Sequence, residues 1–204
     1  MSIPKNIFQT TRHGQPDYVI NMIKEKSNGW NYQHFNDSEI IKYFIDYPND
    51  EFPHIIDKFN QLKFGAHKAD LFRYYYLYTT GGVFIDSDAM LEDNIENIVQ
   101  DYTFFSVKSL VSNTIFQGFI GSVPRNKIIY EALKDVYNID INYLTNNYHL
   151  LTANMYTIIN EGIFDFKYKL YTENGNDGEK VNTENDDNKI ILIHYWRNKN
   201  IPYR

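Results

Sequence analysis

Apolar positions fall into two alternating periods along this chain. Ile3-Pro4-Lys5-Asn6-Ile7-Phe8-Gln9-Thr10 reads as an opening strand, followed by a loop through Arg12-His13-Gly14. Pro16-Asp17 suit the first turn of a helix to about Lys26, with Val19, Ile20 and Ile23 as its apolar stripe. Trp30 to Phe35 is a second strand. Asp37 or Ser38 then caps a helix that carries Ile40, Ile41, Phe44 and Ile45 on one side. Beyond the Tyr47-Pro48-Asn49-Asp50 turn, Phe52, Ile55, Ile56, Phe59 and Leu62 mark another helix, broken at Gly65. A further helix from about Ala66 to Tyr78 stops at Thr79-Thr80-Gly81-Gly82. The strand Val83-Phe84-Ile85 follows and ends abruptly in Asp86-Ser87-Asp88. Such alternation of helices and strands predicts an α/β protein.

The second half is patterned more loosely. Residues 103–107 and 113–121 read as strands, 126–138 (after Pro124) and 152–161 as helices. Residues 172–189, with Gly175, Gly178 and Asp186-Asp187, read as a mobile loop. Ile190-Ile191-Leu192-Ile193 is a buried strand running into His194-Tyr195-Trp196-Arg197. No repeat and no second domain is visible, so 204 residues are expected to form one domain.

Composition narrows the functions available. A hydrophobic content of 43% with 17% aromatics is that of a globular protein. A net charge of −6 argues against nucleic acid as the main partner. The absence of cysteine removes thiol nucleophiles, disulfides and Cys-type zinc sites together. No apolar run approaches the ~18 residues of a membrane helix, and the amino terminus does not read as a signal peptide. The expectation is a soluble, cytoplasmic protein. Its 18 tyrosines suit sugar or base surfaces as well as core-edge packing.

Against this background the carboxylates become informative. Side chains alternate along a strand, so Asp86 and Asp88 can point to one side. Their oxygens are hard ligands for a divalent cation that also holds phosphates. In a chain this rich in Asp, chance alone supplies on the order of one Asp-x-Asp pair, so the context carries the signal. That context is a buried strand with both acids at its carboxyl end, where open α/β sheets bind ligands. Asp70 and Arg73 share a face of the preceding helix. They read either as an ordinary ion pair or as a hydroxyl acceptor beside a forked donor for diphosphate. His194 is either a structural histidine or a manganese ligand, and Trp196 either core or a lid over base or sugar. Asp186-Asp187 reads as solvated, and Lys167-Tyr168-Lys169 is too thin a basic cluster for nucleic acid.

With these residues in hand, the chain resembles glycosyltransferase family 32, the sugar-binding-region group with a DXD motif. Three blocks carry the likeness: residues 3–10; Ala69-Asp70-Leu71-Phe72-Arg73 through Gly81-Gly82-Val83-Phe84-Ile85-Asp86-Ser87-Asp88; and, more weakly, His194-Tyr195-Trp196. Relatives often have His where Phe8 stands, Trp at Thr11 and Tyr at Phe84, which leaves donor identity open. The resemblance implies a single-domain GT-A-like α/β/α sandwich around a mixed, mostly parallel sheet. Nucleotide would bind in the half up to about residue 95 and acceptor in the remainder. It implies retaining transfer from a nucleotide sugar, UDP-sugar favoured over GDP-sugar, to a glycan, lipid-linked or protein acceptor. Asp86, Asp88 and His194 would hold Mn2+ or Mg2+. Asp70, Arg73, Asp86 and Asp88 would carry catalysis, and Phe8, Gln9, Thr10, Asp70, Arg73, Asn113 and Trp196 would contact substrate.

Two other classes compete. A strand ending in Asp-x-Asp also describes haloacid-dehalogenase-like phosphohydrolases, where the first carboxylate attacks phosphorus. Met90 in place of the usual Thr or Val, and Asp186-Asp187 without a preceding apolar strand, weigh against it. A non-catalytic nucleotide-sugar-binding domain would keep the fold without turnover.

Overall fold

In the computed structural model, which describes residues 1–176 and 178–195, the strands are β1 (Asn6–Thr10), β2 (Asn31–Phe35), β3 (Gly82–Ile85), β4 (Ala89–Leu91), β5 (Phe104–Lys108), β6 (Ile115–Ser122), β7 (Tyr168–Asn176), β8 (Lys180–Glu184) and β9 (Ile190–Tyr195). The helices are α1 (Asp17–Lys26), α2 (Asp37–Asp46), α3 (Ile55–Gln61), α4 (Gly65–Thr79), α5 (Ile95–Val99), α6 (Lys127–Asn138), α7 (Ile141–Asn146) and α8 (Leu150–Glu161). All the strands join one sheet in the order β2-β1-β3-β6-β5-β7-β8-β9-β4.

Local chemistry explains these elements. Residues 36–39 form a capping box: the Asn36 side chain accepts from the Ser38 and Glu39 amides, and Glu39 accepts from the Asn36 N–H. The cap of α2 is therefore Asn36 and not the expected Asp37 or Ser38. The Asn126 side chain caps α6 by accepting from the Ile128 amide, and Ile128, Ile129, Ala132, Leu133 and Val136 bury one of its faces. Strand alternation sends Phe8 and Phe84 into an aromatic core with α2, α4, α6 and α8. Ile7, Val83 and Ile85 point the other way, onto Val19 and Ile23 of α1 and Ile95, Ile98 and Val99 of α5. Each such side chain contributes about 1.5–3 kcal/mol by leaving water. Helix α4 is buried nearly all round, so its tyrosines are chiefly core: Tyr74, Tyr75 and Tyr76 are each at most 2% exposed.

The sheet corrects one expectation. Three pairings are parallel (β1–β2, β1–β3, β5–β7) and five antiparallel (β3–β6, β5–β6, β7–β8, β8–β9, β4–β9), so it is mixed but mostly antiparallel. Parallel neighbours need a crossover of a dozen or more residues, which the helices supply before β2 and β3. After β5 the links to β6, from β7 to β8 and from β8 to β9 are too short for that, and the chain turns back on itself. Residues 172–189 are corrected likewise. Most of this polar stretch is hairpin, because Glu173, Val181 and Thr183 alternate inward while Gly175 and Gly178 take positive φ at the irregular step and the turn. Periodicity was masked there by buried polar residues.

Gly81 and Gly82 are required by their positions. Both have positive φ (74° and 127°), and a β-carbon on Gly82 would stand 2.6 Å from the Asn6 carbonyl oxygen on β1. That oxygen belongs to a neighbouring strand and has no room to retreat. Gly82→Ala is expected to cost about 3 kcal/mol, a fall in Tm on the order of 10 °C by thermal denaturation. An unchanged Tm would show that β1 and β3 need no such approach.

Candidate active site

The acids at the end of β3 are held by their backbones. Asp86 N–H donates to the Gly118 carbonyl at 2.7 Å, and Gln9 Nε2 donates to the Asp86 carbonyl at 3.1 Å. Gln9 is itself fully buried, and its Oε1 accepts from Tyr32 Oη and Gln15 Nε2. Gly118 on β6 makes space for the carboxylate: a β-carbon there would lie 2.2 Å from Asp86 Oδ2. Two residues on, the Asp88 carbonyl accepts from Tyr195 N–H at 2.8 Å.

Antiparallel pairing of Ala89 with His194 then sets the imidazole beside Asp88, Nε2 to Oδ1 at 3.5 Å. The His194 ring stacks on Phe116 with centroids 4.6 Å apart. One ligand atom from each of Asp86, Asp88 and His194 lies within 4.8 Å of the others. Two carboxylates and one imidazole, all partly exposed, form a donor set suited to a divalent cation that keeps positions open for phosphate oxygens. Without a cation, burial pushes the Asp86 carboxyl above the usual carboxylate range; Arg73 opposes that rise and the Asp88 charge adds to it. Burial alone would lower His194, but its contact with Asp88, then the charges of Asp88, Asp86 and Glu173, leave it raised. A bound cation reverses both tendencies, favouring carboxylate and neutral imidazole.

Arg73 crosses from α4 to the acids. Its side chain is only 6% exposed. Nη1 donates to the Gln117 carbonyl at 2.6 Å and Nε to the Ala69 carbonyl at 3.3 Å. Nη2 stands 3.3 Å from Asp70 Oδ1 and 3.7 Å from Asp86 Oδ1, and the guanidinium lies 4.2 Å over the Phe84 ring. The pair is thus more than an intrahelical ion pair, because Arg73 binds three elements at once. Burial raises Asp70, with Arg73 and then His67 pulling it back.

Two cavities meet at Arg73 and Asp86. One, of about 400 Å³, runs past Thr10, Thr11, Arg12, Ala69 and Ser87. The other, of about 370 Å³, reaches Asp70, Thr114, Gly118, Tyr148 and His149. Both are of a size for a small ligand. The structure therefore gathers Asp70, Arg73, Asp86, Asp88 and His194, with Thr10 on one wall. It does not gather the other expected contacts. Phe8 is fully buried, stacked on Tyr76 with centroids 4.0 Å apart, and lines neither cavity. Gln9 supports Asp86 from below. Asn113 is exposed with φ of 59° in the turn before β6, so the strand predicted from 113 begins at Ile115. Trp196 lies outside the described residues.

Sequence reasoning missed Gln117, Gly118, Tyr148, His149 and Glu173. Gly118 carried a usable signal, since a glycine inside an apolar strand marks a close approach. Gln117, Tyr148 and His149 carried none, because their roles depend on which segments meet.

With this geometry established, comparison with known proteins is informative. Residues 6–105 match the family described as glycosyltransferase sugar-binding region containing DXD motif. A mannosyl phosphorylinositol ceramide synthase of Saccharomyces cerevisiae is 32% identical over 97 residues, 47% of this chain and 24% of that protein. Inositol phosphoceramide mannosyltransferase 1 of Schizosaccharomyces pombe is 22% identical over 69% of this chain and 40% of its own. The chain thus spans well under half the length of these relatives. Among solved structures, the PaToxG glycosyltransferase superposes with a TM-score of 0.58 at 15% identity, covering 78% of this chain and 70% of that one, which is a likeness of fold.

Proposed function

We infer that this chain, whose residues 6–105 match the DXD-containing sugar-binding region of glycosyltransferases, is a glycosyltransferase that performs metal-dependent, retaining transfer of a hexosyl group from a nucleotide sugar. The observation that carries the reading is the meeting of two cavities at Arg73 and Asp86, beside the Asp86–Asp88–His194 donor set. Asp86, Asp88 and His194 would hold the cation, Mn2+ being favoured over Mg2+ by the imidazole. When bound, it would supply positive charge against the departing diphosphate.

The chain's own residues do the rest. The nucleoside lies along Thr10 and Thr11, and Arg12 at the rim adds charge against the diphosphate. Arg73, fixed by Gln117 and Phe84, turns its Nη2 toward the leaving oxygen. Asp70, held by Arg73 at 3.3 Å, accepts from donor-sugar hydroxyls in the second cavity. The acceptor hydroxyl enters on the leaving-group side, so configuration is retained and its proton follows the diphosphate. A GT-A-like arrangement agrees with a nucleotide cleft at the carboxyl ends of β1 and β3. The phosphohydrolase reading loses its second acidic motif, since Asp186 is a surface partner of Lys169.

UDP-hexoses remain the first donors to try. The relatives' names, which speak of mannosyl transfer and inositol phosphoceramide, add a mannosyl donor and a lipid-linked acceptor. No helix of the described residues is long and apolar enough to cross a membrane. The test is nucleotide release from a panel of UDP- and GDP-sugars, with Mn2+ and with chelator. Slow release from one donor, lost on chelation, is expected. Silence across the panel, with no calorimetric binding of any nucleotide, would overturn the reading.

A further inference from the structure

We propose that Gln117 is a specificity-determining residue for the donor sugar, its Oε1 accepting from one ring hydroxyl and so selecting a fully hydroxylated hexose over a deoxyhexose. The inference rests on the reading above and deepens it. Gln117 lies beyond residues 6–105, outside the stretch that matches the family.

A glutamine at this place in β6 has little structural reason to be there. It shares a face with Ile115, which packs in the aromatic core with α4 and α8, and it is only 3% exposed. Its backbone carbonyl accepts from Arg73 Nη1 at 2.6 Å, and its Nε2 donates to the Leu151 carbonyl on α8 at 2.8 Å. The second bond fixes the amide, because the flipped form would set Oε1 against the Leu151 oxygen. Oε1 is thereby held on the other side, where it accepts no hydrogen bond among the described residues. An unmatched buried acceptor costs about 1–3 kcal/mol. Methionine would fill much the same volume without that cost.

The second cavity supplies the place for a partner. Gln117 lines it together with Asp70, Arg73 and Asp86, and the last two also line the nucleoside cleft. A hexose attached to a diphosphate at that junction lies against Asp70 and Gln117. Both present acceptor oxygens, while Arg73 Nη2 already faces Asp70 and Asp86. Such a wall needs hydroxyl donors from its ligand. A deoxy position leaves Oε1 unmatched once water is excluded, and a fluorine sets a second acceptor against it. The Tyr74 hydroxyl also stands near the Gln117 amide, but Tyr74 lines neither cavity.

The experiment takes the nucleotide hexose that the protein hydrolyses and compares it with analogues in which each sugar hydroxyl in turn is replaced by hydrogen or fluorine. Nucleotide release gives kcat/KM, and thermal denaturation reports folding. In the wild type, one position is expected to lose roughly 100-fold in kcat/KM on replacement. Gln117→Met should lose a similar factor with the parent hexose and become nearly indifferent to that position. Gln117→Glu, whose acid form keeps both an acceptor oxygen and a donor for Leu151, should retain the discrimination, and it decides the matter if Gln117→Met does not fold. A wild type nearly indifferent to every replacement, or folded variants that slow all donors in equal measure, overturns this inference alone; Oε1 is then satisfied by Tyr74 or by a trapped water. Absence of nucleotide release from every unmodified hexose donor with the wild type overturns the parent reading with it.

Discussion

Asp86→Asn is expected to lower sugar transfer by about 10³-fold and, in chelator, to raise the temperature at which the protein unfolds. The two effects share a cause. Asp86 is crowded by Asp88 and Asp70 in a partly desolvated site, and its carboxyl is pushed above the ordinary range mainly by burial. Its proton is therefore held more tightly in the folded chain than in the unfolded one. Stability from this group is fully present below the unfolded value and lost as pH rises through the folded one, so at neutral pH its ionised form works against the fold. Asparagine keeps the shape and removes the charge. The same change takes away a carboxylate of the proposed cation site, and several kcal/mol of charge stabilisation correspond to the stated loss in rate. Asp88→Ala should match it in turnover and in lost metal-dependent nucleotide affinity. Calorimetry with Mn2+ and thermal unfolding in EDTA read both halves. Unaltered nucleotide affinity in both variants would remove the metal assignment; a lower Tm in Asp86→Asn would make the carboxylate a structural group.

Arg73→Lys is the second large effect, about 10²-fold in kcat with a smaller change in donor KM. Lysine preserves the charge but not the fork. It cannot bond the Gln117 and Ala69 carbonyls and also face Asp70 and Asp86, and it does not stack flat on Phe84. The Gln117 carbonyl, on buried β6, is left without its 2.6 Å partner, which adds about 1–3 kcal/mol of destabilisation. Steady-state kinetics with denaturant unfolding separates the two losses. Wild-type kcat alongside reduced stability would confine Arg73 to holding α4 against β6.

The half of the site that was legible lay in contiguous residues. Asp86 and Asp88 were readable because a strand period fixes their side, and Asp70 with Arg73 because a helix period fixes theirs. His194 was readable only as a polar residue ending an apolar strand; its place beside Asp88 depends on β9 pairing with β4, which no local pattern encodes. Phe8 was misjudged for a related reason: the resemblance implied contact with substrate, but strand alternation turns it, in the middle of β1, into the aromatic core. The second half of the fold was obscured by buried polar residues. Glu173 and Thr183 are each at most 7% exposed, so a hydrophobic count sees loop where there is strand.

The pairing of β3 with β6 also bears on modularity. The family match stops at residue 105, yet β6, the Gln117 and Gly118 carbonyls and His194 all come later in the chain. A fragment cut at that border would keep both aspartates while leaving an open strand edge beside them, an unmet Asp86 amide and an arginine short of its anchor. The family match and the proposed site therefore have different borders in this protein. The matched piece ends before β6, whereas the proposed site draws on residues as far along as β9.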